Sequence, residues 1–307
     1  MTIQQLKYVV MVANVNSINE AAKRLFISQP SLSAAIKELE DEININIFTR
    51  SNRGVTITAE GEEFLGYARQ VLNQVELLED KYLDGHIKKK FAVSTQHYSF
   101  AVKAFVEMVK SFDMNEYEFA IRETKTFDVL NDVKNGKSEI GILYLNNFNE
   151  KILSKLIKEF GLEFHQLFQC KGYVYLWKGH PLAKKEIITM EELQDYPCLS
   201  FEQGENNSFY FAEEILSTYE YKKTIKACDR ATMLNLMVGL YGYTLCSGII
   251  CEELNGSDFK AVLLDSDEIM RIGYIKREYS SLSDIGSLYI EELEKYLESN
   301  GVFVFSK

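Results

Sequence analysis

Apolar and polar residues alternate differently in the two parts of the chain. Over residues 1–58 the apolar positions fall at helical spacing and predict short helices. Leu6, Val9, Val10 and Ala13 give an amphipathic first helix. Ser17-Ile-Asn-Glu20 reads as a capping box that opens a second; the serine hydroxyl accepts from the third amide and the glutamate reaches back to the cap. Ser28 predicts the next N-cap, with Pro30 in the first turn, where a missing N–H costs nothing. This third helix is expected to run to about Glu42 on a face of Leu32, Ala35, Ile36 and Leu39. Two short helices joined tightly at residues 25–27 form a helix-turn-helix pattern. Residues 45–57 then read as a hairpin wing that turns at Asn52-Arg53-Gly54.

Residues 58–84 contain no proline. Thr58 is the expected N-cap. Phe64, Ala68, Val71, Val75, Leu78 and Tyr82 are spaced four and three apart, the seam of a dimerisation helix, although a single helix packed on its own domain has a similar stripe.

From residue 91 the rhythm changes. Strands are expected at 91–94, 118–122 and 140–145, alternating with helices at 100–109, 127–134 and 152–157. That order predicts a parallel sheet with helices on both faces. Residues 162–168 and 173–177 are expected to open a second unit, with strands at 199–201, 224–228 and 243–246 and helices at 190–193, 209–216 and 232–240. A strand at 269–276 and a helix at 284–298 close the chain. The fold class is α/β: a winged helix-turn-helix (1–58), a linker or dimerisation helix (59–90) and a C-terminal region of two doubly wound subdomains (91–307). The first subdomain is expected at about 91–161 plus 268–307, the second at about 162–267. Two such sheets facing each other leave a cleft at the carboxyl ends of their strands, where ligands bind.

Charge sharpens this division. The chain of 307 residues carries a formal −11. Residues 1–90 hold 11 basic and 12 acidic side chains, and residues 1–58 hold six and five. The acidity therefore lies in the second part, which excludes a uniformly basic nucleic-acid coat but not a local DNA-binding face. Five cysteines, none in a CxxC pair, and four scattered histidines read as reduced thiols and no zinc site. No targeting or membrane-spanning segment is apparent, so a cytoplasmic protein is expected.

The leading end of the third helix carries Gln29, Ser31 and Ser33, short polar groups suited to base edges in a major groove. Pro30 and Leu32 can meet thymine methyls. Lys37 is within reach of phosphate, and Arg50 and Arg53 flank the wing, where guanidinium groups meet phosphate or enter the minor groove. Taken singly, these residues are also what caps and solvated charges look like. Their order, with Ser17 and Ser28 at the two caps, points to double-stranded DNA.

These residues carry a family resemblance. Residues 3–75 resemble the LysR-type transcriptional regulators through AA-x-x-L-x-x-S-Q-P-S-L-S, followed by L-E, F-x-R and T-x-x-G. The resemblance implies major-groove roles for Ser17, Gln29, Pro30, Ser31, Ser33 and Lys37 and a wing role for Arg53. It also implies imperfect palindromic promoter sites, a dimer that assembles further into a tetramer, and RNA polymerase as a candidate partner. Two positions depart from the family pattern. Ala34 stands where Arg or Lys is usual, and Asn44 replaces a turn glycine, a position where asparagine tolerates the left-handed conformation.

In the second part no GxGxxG, P-loop or GxSxG motif supports an enzyme. Polar residues instead gather at strand ends and helix starts. They are Ser94, Thr95, Gln96 and His97, then Thr126, Tyr144, Ser200, Glu202 and Gln203, and finally Arg230 and Thr232. Hydroxyls and amides at helix N-termini suit a carboxylate or another anion, and such groups also serve as ordinary caps. As a set they predict a small polar metabolite and no bound cofactor. The resemblance implies a periplasmic-binding-protein-like effector-binding domain over 91–307 with a coinducer cleft, and Thr95, Thr126 and Ser200 stand at matching positions. The T-Q of V-S-T-Q-H-Y also looks like the branch that controls cysteine and methionine metabolism, and D-R-A-T-M-L-N-L-M-V-G-L-Y-G-Y together with S-F-E-Q-G-E-N-N-S-F-Y-F looks like the Gram-positive regulators of sulfur amino-acid genes and related uptake. A constitutive DNA binder without a ligand and a DNA-anchored enzyme are the alternatives.

Overall fold

A computed structural model describes residues 1–51, 54–82, 89–112 and 116–305, apart from the side chains of residues 50, 51, 54, 73, 76, 77 and 80–82. The chain divides into two units, Met1–Lys88 and Lys89–Lys307.

The first unit contains α1 (Ile3–Val15), α2 (Ile18–Arg24), α3 (Gln29–Ile43), β1 (Phe48–Ser51), β2 (Gly54–Ile57) and α4 (Ala59–Tyr82). Thr2 and Gln5 form a full capping box on α1. The box expected on α2 is only half made. Ser17 Oγ accepts from Glu20 N at 3.3 Å, but the Glu20 carboxylate turns away to accept from Arg24 Nε at 3.1 Å, an i,i+4 ion pair competing for the same oxygen. Ser28 caps α3 through Ser31 N. Asn44 ends α3 in the left-handed conformation, as does Asn16 after α1. Val9, Val12, Ala21, Ala22, Leu32, Ile36, Leu39 and Phe48 close the core, while Val10 and Ala35 stay half-buried.

The wing is tied down from both sides. Glu40 Oε1 accepts from Ile47 N and Phe48 N at 2.7 and 3.0 Å. Thr58 Oγ1 donates to Asn46 O at 2.6 Å and accepts from Gly61 N at 2.8 Å. The L-E and T-x-x-G patterns thus have a local physical purpose: both fix the base of the hairpin to the helices on either side.

Helix α4 does not present the expected stripe as one seam. Ala68 is 2% exposed and Phe64 half-buried against the helix-turn-helix core, where Leu65 is fully buried. The early turns therefore pack within the unit. Val71 and Leu78 are exposed and Val75 is half-buried. The Tyr82 side chain lies outside the described residues.

The second unit begins with β3 (Lys89–Thr95), α5 (Ser99–Lys110), β4 (Tyr117–Glu123), α6 (Thr126–Lys134), β5 (Ile140–Leu145), α7 (Glu150–Glu159), β6 (Leu162–Lys171) and β7 (Tyr173–Trp177). It continues with β8 (Ile187–Ile188), α8 (Met190–Leu193), β9 (Cys198–Phe201), β10 (Thr224–Ala227), α9 (Arg230–Leu240) and β11 (Tyr243–Cys246). It closes with α10 (Glu252–Asn255), β12 (Phe259–Leu264), β13 (Ile269–Arg277) and α11 (Asp284–Ser299). One sheet has the order β4-β3-β5-β13-β6 and the other β10-β9-β11-β7-β12-β8.

Three expectations change here. The sheets are mixed, because β13 runs antiparallel to both β5 and β6, and β7 antiparallel to β11 and β12. Strand β6 belongs to the first sheet, so the first subdomain extends past residue 161 and the chain crosses over at Gly172. A long apolar run cannot announce which sheet its ladder will join. Residues 209–216 are not a helix. A single 3-10 turn at Phe209–Phe211 ends at Ala212 in extended conformation, and Leu216 has φ +55°. Glu213 and Glu214 in this stretch bond to groups outside it, which holds the backbone out of a helical path.

Candidate functional site

The N-terminal end of α3 is an open polar edge on a closed apolar core. Ser28, Gln29, Pro30, Ser31 and Lys37 are exposed and Ser33 is half-buried. Gln29 Nε2 donates to Ser33 Oγ at 2.7 Å, and the Ser28 and Ser31 hydroxyls share a 2.7 Å bond. These pairs hold the side chains in place while leaving the Gln29 carbonyl oxygen open to a base edge. Ala34 is exposed beside them and adds no charge. Ser17 is half-buried, and its oxygen is committed to the α2 cap. The Arg50 side chain and Arg53 lie outside the described residues. One residue escaped the sequence reading. Phe26, two positions before the Ser28 cap, is 94% exposed with φ +55°. An apolar ring at a turn gives no periodic signal.

In the second unit the expected ligand residues largely satisfy one another. Ser94 Oγ donates to Asp132 Oδ2 at 2.6 Å and lies 2.8 Å from Ser138 Oγ, so it braces β3 against α6. Thr95 Oγ1 donates to the Gln96 carbonyl. Gln96 Nε2 donates to Thr126 Oγ1 at 2.6 Å, and its Oε1 accepts from Tyr98 OH and Tyr144 N. Thr126 N donates to Gln203 Oε1 at 3.0 Å and Thr126 Oγ1 to Phe211 O at 2.8 Å. Tyr144 OH donates to Glu214 O. Glu202 is exposed and accepts from the Cys228 thiol, and exposed Thr232 bonds back to the Asp229 cap. Ser200 is half-buried on β9.

A cavity of about 70 Å³ lies alongside this network. Of the expected residues, His97 and Arg230 line it. Its walls are mainly apolar, from Met233, Leu234, Met237, Ile249 and Met270, which corrects the expectation of a polar lining. The anion-binding position expected at the start of α5 is already filled. Glu213 Oε2 accepts from His97 N at 2.9 Å and lies 2.8 Å from His97 Nδ1, while Oε1 accepts from Gln203 Nε2 at 3.0 Å. The His97 ring stacks on Phe201 at 3.7 Å. Beside Glu213, Glu214 is buried and accepts from Phe201 N at 2.9 Å. Burial, with the Glu213 charge as a second cause, pushes its carboxyl up to about 8. Arg230 is engaged by Glu123 and by Asn255. Sequence periodicity passes over the two glutamates because it predicts a helix over 209–216. An acidic pair inside F-Y-F-A-E-E-I-L was the available signal, since charges amid apolar neighbours need partners.

Two family patterns match the chain: "Bacterial regulatory helix-turn-helix protein, lysR family" over residues 3–62 and "LysR substrate binding domain" over 98–284. The chain is 30% identical over 206 residues to the HTH-type transcriptional regulator AlsR of Bacillus subtilis, covering 65% of this chain and 64% of that one. It is 25% identical over 306 residues to the malolactic fermentation system transcriptional activator of Lactococcus lactis, covering 96% and 98%. Its fold resembles a full-length OxyR variant from Pseudomonas aeruginosa, with TM-score 0.61, 20% identity and coverage of 97% and 95%. Among the described residues no helix is long and apolar enough to cross a membrane. A helix-turn-helix with an open recognition edge, followed by a two-sheet effector fold and matched by both patterns, places the chain in the LysR family of DNA-binding transcriptional regulators.

Proposed function

We propose that the chain regulates a small set of promoters by seating α3 in successive major grooves of an imperfect palindrome, under the control of a small metabolite in the effector cleft. The observation that carries the DNA half is the edge of exposed Ser28, Gln29 and Ser31 with half-buried Ser33 on a closed core. Arg50, Arg53 and Lys37 supply phosphate contacts in this reading. The DNA-binding domain is taken as 1–58 and the linker as 59–90. Dimerisation uses the outer part of α4, where Val71 and Leu78 are exposed, and pairs of dimers assemble into tetramers. In such a dimer Leu78 is desolvated, so Leu78→Asp is expected to shift the full chain toward monomer in sedimentation velocity. An unchanged dimer would move the seam elsewhere.

Ligand binding changes how the two effector subdomains meet and hence how dimers sit on DNA. A coupling of about 1–3 kcal/mol suffices for a several-fold switch. The resemblance of residues 93–98 and 229–243 favours a sulfur amino-acid intermediate, such as an O-acetylated serine or homoserine. A second reading rests on one observation: the strand-end donors are filled by Glu213, Gln203 and Phe211 O. A constitutive DNA binder with a self-filled cleft would have that arrangement.

Genome-wide footprinting at near-physiological salt, with and without O-acetylserine, tests both readings, because non-specific binding is suppressed there. Discrete dyad-symmetric sites that respond to the metabolite support the switch. The same sites unaffected by metabolites support the constitutive binder. Ser33→Arg is expected to lower specific affinity at least tenfold without changing the oligomeric state. Unchanged affinity would show that α3 does not read the site as placed.

A further inference from the structure

We propose that the cavity between His97 and α9 takes a small primary amine through its ammonium group, because the position at which an anion would anchor is held by the chain's own Glu213. The proposal rests on reading this cleft as the effector site and narrows the chemistry it accepts.

The anion position is closed by geometry. At the start of α5 the amide that would meet a ligand carboxylate donates to Glu213, and the matching amide at the start of α6 donates to Gln203. Those two side chains are bonded to each other at 3.0 Å, and both are buried. An incoming carboxylate has to displace this network and then sit beside the Glu213 carboxylate as a like charge in low dielectric. Arg230 offers no free counter-charge, since Glu123 and Asn255 hold it.

Space and unpartnered groups remain next to it. A cavity of about 70 Å³ corresponds to roughly five to seven water-sized positions, enough for a ligand of similar heavy-atom count. Tyr175 and Thr244 lie on neighbouring strands in register and are more than nine-tenths buried; the Thr244 hydroxyl lacks a hydrogen-bond partner, and the Tyr175 phenol has Asn255 beside it. Both residues line the cavity. A buried hydroxyl without a partner is costly, so a ligand that reaches the Thr244 oxygen and completes its bonding is favoured. Burial chiefly pushes the Tyr175 phenol up to about 12, and it stays a neutral hydroxyl. The methionine and isoleucine walls suit a short alkyl body, and the glutamate pair suits a positive head. An α-amino acid can enter on the same terms through its ammonium end, with its carboxylate directed away from Glu213.

Three probes of similar size and different charge test this on the full chain: n-butylamine, n-butanol and n-butyrate, by ligand-observed NMR and thermal shift at pH 7.5. The amine is expected to bind at least tenfold more tightly than butyrate, with butanol between them. Glu214→Gln removes the carboxyl that could ionise toward a bound cation, and is expected to weaken the amine at least fivefold and leave butanol unchanged, which separates loss of that ionisable partner from loss of the fold. Butyrate binding as tightly as the amine overturns the charge preference while leaving the cleft an effector site. If none of the three binds, the cavity is not a ligand site, and the ligand half of the functional reading falls with it while the DNA half stands.

Discussion

Replacing Gly61 with alanine is expected to destabilise the DNA-binding unit by about 3 kcal/mol or more, at the upper end of what overpacking costs. A methyl group at this position would overlap the Ile47 carbonyl oxygen and stand 2.8–2.9 Å from the Ile47 carbonyl carbon and Cα. These are backbone atoms, so no side-chain rotation relieves the clash. Nor can Ile47 retreat freely. Its carbonyl accepts from Thr58 N at 3.0 Å and its amide donates to Glu40 at 2.7 Å. At about 4–8 °C per kcal/mol for a unit of this size, the N-terminal calorimetric transition should fall by more than roughly 12 °C. Gly66, farther along the same helix, is the control. A Cβ there meets nothing within 4 Å, so Gly66→Ala should stabilise α4 by about 0.5–1 kcal/mol through helix propensity. Equal effects at the two positions would mean that propensity, not the close approach to Ile47, sets the cost.

The same contrast explains what could be read from the sequence. Ser28 with Pro30, Asn44 and Thr58 announce their roles locally, because a cap or a left-handed residue is decided within a few positions. The first unit was legible for that reason. Phe64 and Ala68 fit a dimer seam by spacing, yet the same spacing also fits packing on α1, and sequence periodicity does not name the partner. The sheet that β6 joins is not legible in the sequence, because its pairing with β13 links residues about a hundred positions apart. The cleft was hardest. Ser94 and Thr95 end β3 with Gln96 directly after it, and Thr126 opens α6. Whether such hydroxyls face a ligand or each other depends on what the chain brings across, and here it brings Glu213 and Gln203. Polar residue types mark where donors collect but do not say whether they are already satisfied.

Glu214 provides the other large effect, and it depends on pH. The folded chain holds its proton up to about 8, whereas an unfolded chain releases it near the ordinary carboxylate value of about 4.3. Between these values the unfolded state binds fewer protons than the native state, so stability falls as pH rises. The loss grows through this window and is complete above about pH 8. At about 1.4 kcal/mol per pH unit, the total is of the order of a few kcal/mol. Glu214→Gln removes the titration and keeps a carbonyl oxygen to accept from Phe201 N, now made at 2.9 Å. The variant should therefore match the natural chain in urea unfolding near pH 5 and exceed it by a growing margin at pH 7 and 8.5. A difference that does not change with pH would place the buried proton elsewhere. The sense of the effect also bears on the cleft. A carboxyl held neutral at a cost to stability is a group that a bound cation would relieve, and the chain keeps it beside the one position where its own Glu213 already bars an anion.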